Sequence, residues 1–489
     1  MRILRQSVCG IVIFSFLVLA GRFVEAAPAS DSWSLERCLE WGLQNHPALT
    51  QAECSVDTSQ ARIGQTRASL GVKMSAGAGW SRQRQEFRRS TAKIGGTDDL
   101  LDSTSESVTM RKLLADSGRT RERVRAAEGT NRAAQREFDW QRVQIAGGIK
   151  IAYFQALQTR ALIDVRRDSL ARFDEHLGKV RGMVEVGSRP PYDITKAEVD
   201  VANARVELIK AEKDFRNAMA GLAEAVGLEG SLQIDWTSGS AKLPQAPEYD
   251  RQKLYQEAMQ RPDVRAVVER IQVAGHQVAE SKKGLKPSLS GSANYNWSGT
   301  LSPLDRSWGM GISLEYPFMD GKLTHYQVTE AKGNLRTAQA KREQLNLSIQ
   351  TDLEVSLNGI VESFQRLEAL GQLMRQASET LNLAEGRYEA GVGSPIEVTD
   401  ARNSFVSAAG NLVTAQYDVL IALSRLDKNL GRLPGELKTS LAVAPVIGNA
   451  GTPDPDALAV DVQGDIGMES DTSPASITPP VIPESSGGK

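Results

Sequence analysis

Histidine and cysteine are nearly missing from this chain: 489 residues hold 4 histidines and 3 cysteines. His46, His176, His276 and His325 lie far apart and have no metal-ligand spacing. No Walker A sequence, Gly-x-Ser-x-Gly elbow or Cys-x-x-Cys occurs, and Gly321-Lys322 lacks the upstream glycine of a phosphate loop. These absences argue against an enzyme and against a bound metal or cofactor. An excess of charge of one sign is missing too. Lys and Arg number 58 against 60 Asp and Glu, for a formal net charge of -2, so composition offers no basic surface for nucleic acid. Past the N-terminus no apolar run approaches the ~20 residues of a membrane-spanning helix. If the chain enters a membrane, strands must carry it.

The N-terminus has the charged, apolar, small-residue order of a secretory signal peptide. Arg2 and Arg5 precede an apolar run from Gly10 to Gly21, and Ala26, Ala27 and Ala29 follow. The signal is predicted over 1–26, with Ala29 as the alternative cleavage site, because cutting after Ala27 leaves Pro28 at the new terminus. A membrane anchor is disfavoured by the shortness of the run. Arg22 follows Leu19-Ala20-Gly21 where lipidation would need a cysteine. Cys9 leaves with the signal. Cys38 and Cys54 flank Asn45-His46-Pro47, which leaves open a bridge between two short helices or, the favoured reading, two small buried thiols.

What the chain has in abundance is helical periodicity, and it has it twice. Ile149, Ala156, Ile163, Leu170, Leu177 and Val184 recur every seven residues, and Leu353, Ile360, Leu367, Met374, Leu381 and Tyr388 repeat the set 204 residues later. Such heptads hold one stripe of a helix against a neighbour over many turns. The spacing predicts long helices over 117–186 and 321–390, each on the order of 100 Å at ~1.5 Å per residue. Each ends at a glycine-containing break. Shorter helices return over 193–227 and 396–431, and the two copies span 33–230 and 249–433. A segment without hydrophobic period, rich in Pro, Gly, Ser and Asp, follows over 444–489 and is expected to be disordered.

Ahead of each long helix the period changes from 3.6 to 2, predicting hairpins over about 70–115 and 287–318. Leu70, Val72, Met74, Ala76, Ala78 and Trp80 alternate with small or polar residues. So do Leu289, Ala293, Tyr295 and Trp297, and then Trp308, Met310, Ile312, Leu314, Tyr316 and Phe318. A long exposed loop is predicted over 82–107. Arg111, Lys112, Arg119, Arg121, Arg123 and Arg125 cluster where the first strand pair meets the helix. A solvated helix face is favoured there over a nucleic-acid site, since no aromatics are interleaved.

Four strands of about ten residues, apolar on one side and polar on the other, suit an outer-membrane barrel better than a soluble sheet. Trp80, Trp297, Trp308, Tyr316 and Phe318 stand near strand ends, as an interfacial aromatic girdle would. Four strands cannot close a barrel, and an open edge in lipid leaves backbone groups unpaired at several kcal/mol each. Several chains must therefore pool their strands.

The chain resembles the TolC family of outer-membrane efflux proteins. The resemblance covers about 33–433. It rests on Asn45-His46-Pro47, on the Tyr-Pro-Phe-Met-Asp-Gly lead-in from Tyr316 to Gly321, and on the turn from Arg387 to Pro395. It implies a homotrimer with one 12-stranded barrel continued by a periplasmic α-helical barrel, in the cell outer membrane. It also implies partners, a periplasmic adaptor and an inner-membrane transporter. The periplasmic tips at Gly187 and at Gly391, Val392, Gly393, Ser394 and Pro395 would dock the adaptor. Asp193, Glu397 and Asp400 match the acidic residues of the family's constriction, with Arg387 close enough to pair with them. Small-molecule efflux is the function implied first; type I protein secretion and a structural periplasmic coiled coil are the alternatives.

Overall fold

The computed structural model describes residues 33–85, 99–230, 249–299 and 304–433. The predicted signal at 1–26 and tail at 444–489 lie outside them. In chain order the elements are α1 (Leu35–Asn45), α2 (Pro47–Ala68), β1 (Val72–Gln85), β2 (Asp99–Ala115), α3 (Arg119–Glu185) and α4 (Tyr192–Val226). The second copy supplies α5 (Arg251–Ala258), α6 (Pro262–Ser281), β3 (Ser288–Gly299), β4 (Asp305–Glu315), α7 (Leu323–Glu389) and α8 (Pro395–Leu430).

Local chemistry sets the boundaries. Ser34 caps α1 by accepting from the Arg37 amide at 3.3 Å, and His46 both ends α1 and caps α2, its Nδ1 accepting from Ala48 N–H at 3.1 Å. Pro47 and Pro262 sit at the first helical position of α2 and α6, where a missing N–H costs nothing. The two strand-to-helix corners are built alike. Asp116 Oδ2 accepts from Thr120 N–H at 2.6 Å, and Asp320 Oδ2 accepts from Thr324 N–H at 2.8 Å. Each corner turns on two successive left-handed residues, Ser117 and Gly118 in one and Gly321 and Lys322 in the other.

The long helices α3 and α7 have 67 residues each. Their heptad stripes lie against neighbours: Ile149, Ala156, Ile163 and Leu177 are buried on α3, and Leu353, Ile360, Met374, Leu381 and Tyr388 on α7. Helix α4 lies along α3, α8 along α3 and α7, so the order across the bundle is α4-α3-α8-α7. Helix α8 is long and apolar enough to cross a membrane, which the sequence reading overlooked, yet Val398, Leu412, Val413, Val419 and Leu420 are buried in the bundle. The largest core gathers Trp33, Cys38 and Leu39 near α1 with Ile149, Tyr153 and Phe154 on α3, Leu222 and Val226 on α4, and Leu420 on α8. Cys38 is buried and Cys54 exposed, both as free thiols, so the bridge is absent and one of the two expected buried thiols faces out.

The strands form one antiparallel sheet in the order β1-β2-β3-β4. Its first hairpin corrects the predicted loop over 82–107: β1 runs on to Gln85 and β2 begins at Asp99. Arg82 there donates to both carboxylate oxygens of Asp102, at 2.6 and 2.8 Å. Past the apolar band the backbone ladder continues and Arg82 pairs with Asp102 across it, so the period-2 signal fades while the strands run on.

The basic cluster is also corrected. Arg111 and Lys112 are adjacent strand residues on opposite faces of β2, not part of a helix face. Arg123 and Arg119 pair with Glu280 of α6 at 2.6 and 3.9 Å, and Arg125 with Glu122 at 3.1 Å. Glu122 also meets His276 of α6 and Lys283 just past its end at 2.9 and 3.1 Å, tying the two copies together beside the sheet.

Candidate functional site

Two regions present chemistry, the sheet at one end of the long helices and the inter-helix turns at the other. Cross-strand register sorts the sheet into two unlike faces. On one, Val72 aligns with Lys112, Gly291 and Ile312, then Met74 with Met110, Ala293 and Met310, then Ala76 with Val108, Tyr295 and Trp308. Met74, Trp80, Trp308, Met310, Ile312 and Leu314 are all exposed on it, which water would penalise and lipid would not. From the row of Leu289 and Leu314 to that of Trp80 the strands rise about 34 Å, or about 24 Å at a ~45° tilt, close to the apolar band of outer-membrane barrels.

The opposite face carries Ser75, Thr109, Asn294 and Gly309 in one row and Gly77, Ser107, Asn296 and Ser307 in the next, small and hydrophilic throughout. Four of the five aromatics expected at strand ends are exposed: Trp80, Trp308, Tyr316 and Phe318. Trp297 is half-buried, its ring 4.4 Å from that of Tyr295. Trp80 and Trp297 lie toward the hairpin loops, Tyr316 and Phe318 just beyond β4 at the helix end, and Trp308 beside Tyr295 between them.

At the other end, α3 and α7 stop by the same device. Gly187 and Gly391 both take φ of 75°, a left-handed conformation that glycine adopts without a Cβ clash. Ser188 N–H then returns to Met183 O at 2.9 Å and Val392 N–H to Arg387 O at 3.0 Å. In the second turn Gly393 N–H also donates to Arg387 O at 2.8 Å, and a Cβ on Gly393 would meet Tyr388 N at 2.7 Å. Ser394 caps α8 by accepting from Ile396 N–H at 3.3 Å, with Pro395 at its first position.

The expected acidic residues divide. Glu397 and Asp400 are exposed at the start of α8, and Glu397 pairs with Arg387 at 3.6 Å. Asp193 is only 6% exposed and its Oδ2 has no hydrogen-bond partner among the described residues. Neighbouring it, and not singled out by the sequence reading, are Arg189 and Tyr388. Arg189 donates to Tyr388 O at 3.1 Å and its guanidinium lies 4.2 Å from the centre of the Tyr388 ring. Burial raises the Tyr388 phenol pKa, Arg189 opposes that and Asp193 adds to it. The signal was a break in the repeat: Arg189 and Gly393 occupy one position of the two copies.

Deeper along the bundle the His176 ring of α3 lies 5.8 Å from that of Tyr388, tilted by 56°. It lines a recess of about 150 Å³ with Arg172, Lys179, Glu385 and Arg402. Arg402 is held by Glu385 at 2.6 and 2.9 Å, and Thr399 Oγ1 donates to buried Asp200 at 3.0 Å. Burial pushes the His176 pKa down to about 4; Arg402 and Lys179 lower it, while Glu385 and Asp200 oppose them. Among the described residues no cluster of metal-binding side chains occurs.

A bundle of four aligned helices ending in a half-greasy sheet defines a membrane duct rather than a catalytic cleft. The sequence model of the outer membrane efflux protein family matches residues 40–228 and 254–432, one match per copy, and the chain belongs to that family. It is an efflux channel of the outer membrane, with TolC-like architecture, and not an enzyme. It is 23% identical over 442 residues to the outer membrane efflux protein BepC of Brucella suis, covering 88% of this chain and 91% of that one. It is 24% identical over 404 residues to the toluene efflux pump outer membrane protein TtgF of Pseudomonas putida, covering 80% and 81%. The CmeC outer membrane channel of Campylobacter jejuni superposes with a TM-score of 0.70 at 16% identity, covering 81% of this chain and 85% of that one.

Proposed function

We propose that three copies of this chain close a 12-stranded barrel and a tube of twelve helical columns. They would form the exit duct through which a periplasmic adaptor and an inner-membrane transporter expel small molecules. One observation carries the assembly: among the described residues, both outer elements of the sheet and of the bundle lack a partner on one side. β1 and β4 are edge strands. Lipid cannot satisfy their free backbone groups, so β4 of one copy must pair with β1 of the next. The bundle's outer helices match. Tyr192, Val199 and Val206 are exposed every seven residues on α4, and Leu347, Val355, Val361 and Leu383 are exposed on α7. A second copy seated edge to edge buries both stripes.

In this assembly three copies each of Glu397 and Asp400 ring the narrow end, collecting cations and repelling one another, with Arg387 moderating Glu397. For Asp193 burial supports a different contribution, an internal hold on the second turn beside Arg189 and Tyr388. The turn from Gly391 to Pro395, with Gly187 in the first copy, offers the adaptor its contact. Small-molecule cargo is supported by relatives such as TtgF, whose name gives toluene efflux. The test is a photoreactive residue at Val392 in intact cells, with the purified protein's mass measured by native mass spectrometry. The reading expects an adaptor adduct and a mass three times that of the protomer; self-adducts alone from a monomeric protein would sink it.

A further inference from the structure

The hydrophilic face of the sheet is neutral over most of its area, and its two cations are placed together. Between the row of Gly79, Ser105, Ser298 and Asp305 and that of Lys73 and Arg111, the residues are all glycine, serine, threonine and asparagine. These two are directly opposite each other in register, in one row with Ser292 and Gly311. Like charges facing across two strands are destabilising, and their Cβ atoms stand only about 5 Å apart. Both residues are exposed, and neither has a carboxylate partner among the described ion pairs. The carboxylates on the same face are Asp305, three rows outward, and Glu315, two rows toward the helices, both on β4. Neither lies in the row of Lys73 and Arg111. By contrast, Arg82 on the opposite face near the hairpin loops is paired with Asp102.

We propose that Lys73 and Arg111 form an anion-collecting ring at the helix end of the barrel lumen. The ring would make the duct favour small molecules carrying carboxylate, sulfate or phosphate groups. This rests on the trimeric duct reading above, in which the hydrophilic face lines water. Three copies then place six cations around the lumen at one level, with the carboxylates of that face, Asp305 and Glu315, two or three rows away. Their mutual repulsion is relieved when an anion sits between them, and so the site attracts one. Arg111 offers a planar fork for an oxyanion and Lys73 a compact point charge beside it. The duct thereby carries opposite signs at its two ends, acidic at Glu397 and Asp400 and basic at Lys73 and Arg111. An anion driven past the acidic tip by the transporter is received by the basic ring.

The test uses the full-length protein in planar bilayers, with sucrose octasulfate added from the barrel side as the probe. The wild-type current should be blocked, with block weakening as salt rises. The double substitution Lys73→Gln, Arg111→Gln should weaken block about tenfold and shift the reversal potential in a KCl gradient toward cation preference. The exchange Lys73→Arg, Arg111→Lys keeps the charges and should keep the block, which guards against a folding defect. A conducting channel whose block and reversal potential are unchanged by the double Gln variant overturns the ring and leaves the duct standing. A wild-type protein that forms no channel overturns both.

Discussion

The two inter-helix turns stand at the same place in a duplicated chain, follow helices of 67 residues each, and close on glycines with the same φ of 75°. Yet at one repeat position the first carries Arg189 and the second Gly393, which has no room for even a Cβ. The long side chain of the first copy crosses to the second, where its guanidinium lies on the ring of Tyr388 and donates to the Tyr388 carbonyl near the end of α7. Duplication therefore preserved the backbone device that ends each helix and let the side chains become complementary. Asp193 and Glu397 show the same split, one buried and the other exposed and paired with Arg387. His176 is buried against Tyr388, while Thr380 at its repeat position is exposed.

The largest effect that sharpens this comparison is acid sensitivity. His176 has its pKa lowered from 6.5 to about 4, mainly by burial. The unfolded chain therefore takes up the proton first, so stability is whole above about pH 6.5 and falls as pH drops toward 4. The loss amounts to about 3 kcal/mol per protomer. Unfolding curves at pH 7 and pH 4.5 should show His176→Gln losing much less over that interval than the wild type; parallel losses would remove His176 from the account.

Next comes Gly393→Ala, at about 2 kcal/mol, because its new Cβ collides with the backbone of Arg387 and Tyr388. Thermal unfolding measures it, and a neutral result would mean the turn yields. Arg189→Ala should cost about 1.5 kcal/mol through loss of a charged hydrogen bond and a ring contact, with Arg189→Lys recovering part. If the two variants melt alike, the ring contact contributes nothing. Gly187→Ala meets no atom within 4 Å and is penalised only by its φ, by about 1 kcal/mol. Its cost should be the smaller of the two glycine substitutions.

The smallest change in stability belongs to the exposed Arg387–Glu397 pair, under about 0.5 kcal/mol on breaking it. Conductance is the sharper readout there. Glu397→Ala with Asp400→Ala should raise resting current and weaken block by multivalent cations, and unchanged currents would discard the acidic ring.

Sequence alone carried most of the architecture, and for a physical reason. Heptads, alternation and glycine-terminated helices are local periodicities, and a repeated chain states each of them twice: α3 and α7 are equal in length because Ile149 and Leu353 open matching stripes. The two faces of the sheet were legible because side chains alternate whatever their partners. Register was not. Only the folded sheet sets Lys73 opposite Arg111, separates Arg111 from Lys112, and extends the first hairpin past its apolar band with Arg82 on Asp102. The same holds where the turns meet: Arg189, Tyr388, Asp193 and His176 come from three helices and a loop, up to 212 residues apart, and no periodicity links them. Contacts between distant segments depend on how α3, α4, α7 and α8 are laid side by side, and that order is a tertiary decision.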